Sequence, residues 1–247
     1  MKDSNLKTRY IGQPMKWFEE VSSTMDLAMK CGLDGAAEGL VIGADRQTAG
    51  RGRFNRKWES PAGTGLYFSI VLRPYIDGKE LFALTFLSAV AVCEVLRALG
   101  VNAAIKWPND ILVENKKICG ILTQAEFKGS SLEFVVVGIG VNVNTAEKDM
   151  PAGGGSIFSV TGQMFDRENI LAGILARVEF WYDCLKKEGS QPILKSWKGL
   201  CGTLGTYVKI TDAQKTVEGQ AVDVADNGAL LVEQKDGNRI KVLTGNI

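Results

Sequence analysis

Histidine is absent from all 247 residues of the chain, and with it go imidazole acid–base catalysis, histidine-ligated metal sites and the Ser-His-Asp triad. Any chemistry must be done by lysine, arginine, carboxylates and backbone groups. Cysteine is sparse. Cys31, Cys93, Cys119, Cys184 and Cys201 are odd in number, far apart and never in a CxxC pair, so neither a disulfide framework nor a zinc site is suggested, and they read as the reduced thiols of a cytoplasmic protein. There is no GxxxxGK(S/T) element and no GxGxxG opening a helix after a strand, which disfavours a P-loop hydrolase and a Rossmann cofactor site. The longest uncharged apolar run, residues 81–93, falls short of the roughly 20 residues that cross a bilayer and reads as a core helix. The polar first five residues are not followed by a signal-type segment, so neither export nor a membrane is expected. The net charge is only +1, with 23% charged and 45% hydrophobic residues. That is an ordinary globular balance, without the protein-wide field that nucleic acid would call for.

The chain is long enough for one large domain, or a main domain with a small appendage. Ser23 with Asp26 three residues on marks a helix start ahead of Leu27 and Ala28, the hydroxyl capping and the carboxylate favouring the positive helix end. Residues 40–44, 66–72, 103–107, 110–113, 118–127 and 132–143 read as short strands joined by brief turns, with a helix over 80–99 laid across them. This is an α+β pattern with a mixed, largely antiparallel sheet and no regular βαβ alternation. The glycine-rich residues 151–156 read as a mobile loop beside a site or simply as a linker. Helices follow over 167–187 and 193–200, and then four β-prone pieces at 206–211, 217–224, 228–233 and 239–243. These suggest a small β-barrel beyond a domain boundary near residue 200.

Into residues 50–57 the chain packs four cations, Arg51, Arg53, Arg56 and Lys57, and two glycines, Gly50 and Gly52. Glycines allow close backbone approach, and arginine forks grip carboxylates and phosphates, so the loop suits an anion; alone, it is more simply a solvated basic turn. Two further stretches are chemically unusual. Lys106-Trp107-Pro108-Asn109-Asp110 sets a cation, an aromatic and a carboxamide/carboxylate pair between apolar strands. Lys116-Lys117-Ile118-Cys119-Gly120-Ile121-Leu122 places Gly120 inside a strand, where close approach is one reason to lack a side chain. Singly, each is more simply structural, as turn formers and strand-edge charges.

In order, Ser22-Ser23-Thr24, Gln47 to Trp58, Lys106 to Asp110, Lys117 to Leu122 and Gly138-Ile139-Gly140-Val141-Asn142-Val143-Asn144 resemble the motifs of the biotin–protein ligases (biotin–acetyl-CoA-carboxylase ligases), over essentially the whole chain. The resemblance implies a class II synthetase-like catalytic domain over 1–200 and an SH3-like carboxy-terminal domain over 201–247. It implies ATP-dependent activation of biotin to biotinyl-5'-AMP with release of pyrophosphate, then transfer of biotin to a lysine amine of a biotin carboxyl carrier protein domain, displacing AMP. It further implies ATP with Mg2+, for which no side chain is singled out because the ATP phosphates can bind most of the metal directly, and a family that often dimerises.

Carried over residue by residue, Ser23, Thr24 and Gln47 match positions that bond biotin's ureido head. Arg51, Gly52 and Arg53 lie in the adenylate loop, touching biotin and ATP, and Lys117 reaches the carboxylate and phosphates. Arg56, Trp58, Lys106, Asn109 and Asn142 border the nucleotide. Arg51, Arg53 and Lys117 would steady the meeting of two anions, and Asp110 would orient or deprotonate the acceptor amine, whose ordinary pKa is near 10.4. Because a mixed anhydride hydrolyses, the loop is expected to be mobile when empty and ordered over the adenylate. Two departures stand out: Met25 where many members have Asn, and Asn55 where many have Gly, a change that Asn tolerates at φ > 0. With only about twenty residues ahead of Val21, no amino-terminal helix-turn-helix is expected. The alternatives are a lipoate or octanoate ligase of the same superfamily, or a protein that holds biotinyl-adenylate without transferring it.

Overall fold

The computed structural model describes residues 6–211 and 216–245; the first five residues, read above for the absence of an export signal, lie outside that range. Its centre is a seven-stranded sheet of order β1-β2-β3-β7-β6-β5-β4. The strands are β1 (Met15–Val21), β2 (Val41–Gln47), β3 (Gly65–Leu72), β4 (Ala104–Lys106), β5 (Asp110–Val113), β6 (Lys116–Lys128) and β7 (Ser131–Asn142). β1 pairs parallel to β2, and every other pair is antiparallel. The mixed, largely antiparallel sheet expected from the strand spacing is therefore present. β2 runs three residues beyond the expected end, because β1 continues to pair with it at Glu20↔Arg46 and Val21↔Gln47 after β3 stops at Ala44. This extension delivers Gln47 and the basic loop to the sheet's rim. β5 and β6 turn back through Glu114 and Asn115, both at positive φ (49° and 62°), the geometry of a tight two-residue hairpin.

Strand alternation sorts the side chains onto two faces. On one, Val41, Phe68, Ile70, Leu72, Val135, Val137 and Ile139 pack against helices α2 (Phe82–Ala98), α4 (Arg167–Glu188) and α5 (Gln191–Leu200). α2 and the turn before it, Gly78–Ala98, are apolar enough on average to cross a membrane (mean hydropathy 1.9). The helix is nonetheless a core element, with Leu84, Phe86, Leu87, Val90 and Val92 buried and Phe86 stacked on Trp197 of α5 at 4.2 Å. Each such side chain contributes about 1.5–3 kcal/mol by leaving water. On the other face, Ile42, Val71, Phe134 and Val136 receive Met25, Ala28 and Met29 of α1 (Thr24–Leu33). Packing is close: a Cβ on Gly32 would stand 2.3 Å from the Phe134 ring.

Behind the first face, the carboxylate of Glu179 on α4 accepts the backbone N–H groups of Arg9, Tyr10 and Ile11 at 2.9, 2.9 and 3.0 Å, pinning the segment that leads into β1. After β7 come the short helix α3 (Ile157–Thr161), closed by a reciprocal capping box between Ser156 and Ser159, and then α4 and α5. Strands β8 (Tyr207–Thr211), β9 (Thr216–Val224), β10 (Leu230–Glu233) and β11 (Arg239–Val242) form a four-stranded antiparallel meander. This is the small carboxy-terminal β unit expected from the resemblance. It is tied to the larger sheet by Trp107, whose backbone N–H donates to Thr203 Oγ1 at 3.0 Å and whose indole N–H donates to the Gly228 carbonyl at 3.1 Å.

Candidate active site

The face of β7 that presents Phe134 and Val136 to α1 continues with Gly138 and Gly140, and Gly140 lies directly across from Gly120 of β6. Removing side chains where α1 ends opens a cleft of about 560 Å³ on this face. The floor is not bare. The Trp58 indole lies across the facing glycines, so a Cβ on Gly120 would come within 2.9 Å of its ring and one on Gly140 within 2.6 Å of its Nε1. Gly120 lacks a side chain to admit this tryptophan. Lys117 Nζ stands 5.3 Å from the centre of the same ring, a favourable cation–π placement.

One end of the cleft is uncharged and rich in donors and acceptors. Ser23 caps α1 by accepting from Asp26 N at 3.3 Å, which holds Thr24 at the helix mouth. Thr24 donates to Gln47 Oε1 through its backbone N–H (2.9 Å) and its hydroxyl (3.1 Å), and its hydroxyl also meets Ser69 Oγ at 3.0 Å. Gln47 Nε2 donates to Ser60 Oγ at 3.0 Å. Met25 lines this end and is 4% exposed.

The other end is cationic. The basic loop folds back on itself, Gly52 N–H donating to Arg56 O at 2.7 Å and Trp58 N–H to Gly50 O at 2.9 Å. At its tip Phe54 and Asn55 both have φ of 56°. Asn55 thus adopts the left-handed conformation anticipated for it; Phe54 shares it, a rarer choice for an aromatic residue. Phe54 is 55% exposed and lies 4.8 Å from the Arg53 guanidinium. Arg51 pairs with Asp26 of α1, and Lys117 Nζ with Asp110 Oδ1 at 2.7 Å. Arg53 reaches Asn109 Oδ1 at 3.2 Å, Thr244 Oγ1 at 2.7 Å and the Gly245 carbonyl at 3.4 Å. Burial pulls its pKa down, against the opposing field of Asp110. Lys106 and Arg56 also line this end.

The roof is the segment 149–154. The looseness expected of residues 151–156 is not what the fold displays. Gly153 O accepts from Lys117 N and Gly155 N donates to Lys117 O, both at 3.0 Å, so the segment is laid along β6. Asn142 Nδ2 donates to Gly155 O at 2.9 Å, fastening the roof to β7; the side chain read as a nucleotide contact is engaged there with protein. Every site residue singled out from the motifs lines this one cleft. Residues 151–154 border the cleft, as one reading of that stretch had it, whereas Ser60, Ser69 and the carboxy-terminal contact on Arg53 were missed. Ser69 sits inside an apolar strand and Thr244 in an unremarkable tail, and neither carries a local signal. The buried thiols take no part, since burial pushes Cys93 up to about 11 and Cys119 higher still.

Residues 17–142 match the biotin/lipoate A/B protein ligase family, and residues 203–247 match the biotin protein ligase C-terminal domain. The chain is 36% identical over 237 residues to the bifunctional ligase/repressor BirA of Bacillus spizizenii, covering 94% of this chain and 73% of that one. It is 32% identical to a biotin–acetyl-CoA-carboxylase ligase of Paracoccus denitrificans, over 87% of this chain and 91% of the relative. Among solved structures, the biotin protein ligase of Aquifex aeolicus in complex with biotin and ATP superposes with a TM-score of 0.80 at 29% identity, covering 94% of this chain and 96% of that one. A catalytic-region match, a match to the biotin protein ligase C-terminal domain and a shared fold agree: the chain belongs to the biotin protein ligases of the biotin/lipoate A/B protein ligase family.

Proposed function

We propose that the cleft activates biotin with ATP and passes it to a lysine of a biotin carboxyl carrier protein domain. The observation that carries this reading is the division of one cleft into an uncharged hydroxyl/amide end at Thr24, Gln47 and Ser69 and a cationic end at Arg51, Arg53 and Lys117. A neutral bicyclic head fits the first, and a carboxylate beside a triphosphate fits the second. A carboxylate oxygen of biotin attacks the α-phosphorus; the bond to the β-phosphate bridge breaks and pyrophosphate leaves with that electron pair. The acceptor amine then attacks the acyl carbon, the C–O bond to AMP breaks, and the amine loses a proton. Both steps bring negative charge together or develop it, so fixed cations and alignment supply the catalysis. Asp110, the resting partner of Lys117, is suited to orient or deprotonate the incoming amine as Lys117 turns to the ligand.

Mg2+ would arrive on the phosphates of ATP. Among the described residues no three cysteine or carboxylate side chains gather as a metal site, so the protein's own groups do not fit a resident cation. Residues 1–200 and 201–247 are proposed as the catalytic and carboxy-terminal domains.

The decisive experiment incubates the chain with ATP, Mg2+ and a carrier domain, supplying biotin, lipoate or octanoate in turn, and detects labelled carrier. Biotin labelling by wild type, lost in Arg53→Ala and Lys117→Ala, is the expected result. Labelling with lipoate or octanoate in place of biotin would overturn the substrate. Biotin-dependent pyrophosphate release that never labels a carrier lysine would overturn the transfer step.

A further inference from the structure

The basic loop carries Arg51, Arg53 and Arg56 to the cleft, and the protein seats the first two by different chemistry. Arg51 meets the carboxylate of Asp26, as Lys117 meets that of Asp110, so each of these cations rests against an opposite charge. Among the described residues the acceptors on Arg53 are all neutral: a carboxamide oxygen, a hydroxyl and a carbonyl. Two of them come from the end of the carboxy-terminal sheet, 191 and 192 positions away in sequence.

Those acceptors are themselves braced. Asn109 Nδ2 donates to Ile121 O at 2.8 Å. Gly245 lies so close to β8 that a Cβ there would stand 2.3 Å from Ile210 Cγ2. The meander as a whole is fastened to the larger sheet through Trp107 and through Gly202 N–H, which donates to Ile105 O at 2.9 Å. A hydroxyl can hold a guanidinium without diminishing its charge, whereas a carboxylate in the same place would hold it and cancel it. An anion entering the cleft therefore meets in Arg53 a cation already oriented and not already paired, the arrangement that makes electrostatic preorganisation effective. Arg51 and Lys117 must first exchange Asp26 and Asp110 for the ligand.

We propose that Thr244 is a positioning residue for the nucleotide step, its hydroxyl fixing Arg53, which pairs with no carboxylate among the described residues, so that it is aimed at the phosphoryl oxygens of ATP. The inference rests on the ligase reading above and adds a residue from outside the motifs, supplied by the carboxy-terminal sheet.

The test compares wild type, Thr244→Ser, Thr244→Ala and Thr244→Asp in biotin-dependent pyrophosphate release over a range of ATP concentrations, with biotin binding and thermal unfolding measured beside it. Serine keeps the acceptor and should match wild type. Alanine should raise KM for ATP about tenfold, the size of a lost hydrogen bond to a charged group. Aspartate still accepts from Arg53 but cancels its charge, and should lower kcat/KM for ATP below the alanine variant. Biotin affinity and the unfolding midpoint should hold throughout. Alanine equal to wild type, aspartate no worse than alanine, or a parallel fall in biotin affinity would overturn the inference. A wild type that releases no pyrophosphate with biotin would overturn the ligase reading and the inference with it; an active wild type with an indifferent series overturns the inference alone.

Discussion

On the α4 side of the sheet, Glu179 accepts three backbone N–H groups and the Arg9 guanidinium, while Asp183 accepts from Arg9 and the Tyr10 hydroxyl, and Lys186 donates to that hydroxyl. On the cleft side, Arg51 has Asp26, Lys117 has Asp110, and among the described residues Arg53 has only neutral acceptors. The first cluster closes on itself: each carboxylate has several donors, three of Glu179's fixed by backbone and one of Asp183's by a ring. In the second, Arg51 and Lys117 each rest on a single, exchangeable carboxylate, and Arg53 rests on neutral acceptors beside the same space. A group with many simultaneous donors is costly to disturb, and a group with one partner can trade it for a ligand. The difference separates charge used to hold the fold from charge held for an incoming anion.

The sharpest way to break that comparison is to remove charge from the cleft. Arg53→Ala and Lys117→Ala should each lower biotin-dependent pyrophosphate release by ~10²–10³-fold, the scale of losing one preorganised transition-state donor, with urea midpoints unchanged. A fall in stability on the scale of the activity loss would mean that the cleft cations are structural after all. The converse change, Glu179→Gln, turns an acceptor oxygen into a donor facing backbone N–H groups and should cost about 2–3 kcal/mol of unfolding free energy, with activity per folded molecule intact.

The two clusters should also differ in acid. Burial would push Glu179 and Asp183 up, but their donors outweigh it and hold both carboxyls below their ordinary values. A carboxyl whose pKa is lower folded than unfolded contributes stability above the unfolded value and loses it as pH falls through the folded one. Denaturant midpoints of wild type should therefore drop between about pH 5 and pH 3, and Glu179→Gln should drop less over the same interval. A smaller effect is expected from Gly140→Ala, whose Cβ would press on Trp58 Nε1 at 2.6 Å: a several-fold rise in KM for ATP with the fold retained, visible together with a change in tryptophan emission. Asp26→Asn should matter least for stability, because its pair with Arg51 is half exposed and such pairs contribute about 0–1 kcal/mol. Its test is a weaker salt dependence of ATP KM.

Much of this was legible in the sequence, for identifiable reasons. The cleft residues could be gathered before folding because five ordered motifs supply them, and Ser23 and Asn55 announce a cap and a left-handed turn through their own chemistry. The close approach at Gly120 was also readable, although its neighbour is the Trp58 indole. What stayed hidden depends on distant pairing. β1, with Lys16, Glu19 and Glu20 around Trp17 and Phe18, has no clean alternation and becomes a strand because β2 pairs with it. α3 owes its single turn to the Ser156–Ser159 box. Glu179 resembles any solvated helical carboxylate until residues 9–11 fold over it, and Thr244 has no signal except the arginine it meets 191 positions away.

The grip of Glu179 on Arg9, Tyr10 and Ile11 spans 168 to 170 positions, which has a consequence for how the protein is made. Synthesis proceeds from the amino terminus at about 5–20 residues per second. The segment leading into β1 must therefore wait on the order of ten seconds for the helix that receives its N–H groups. Through that interval β1 and β2 can pair and Gly12 N–H can meet the Gly39 carbonyl, but the N–H groups of residues 9–11 lack their carboxylate, and a nascent chain stalled before α4 should be cut by protease near residues 9–11 while the released protein resists.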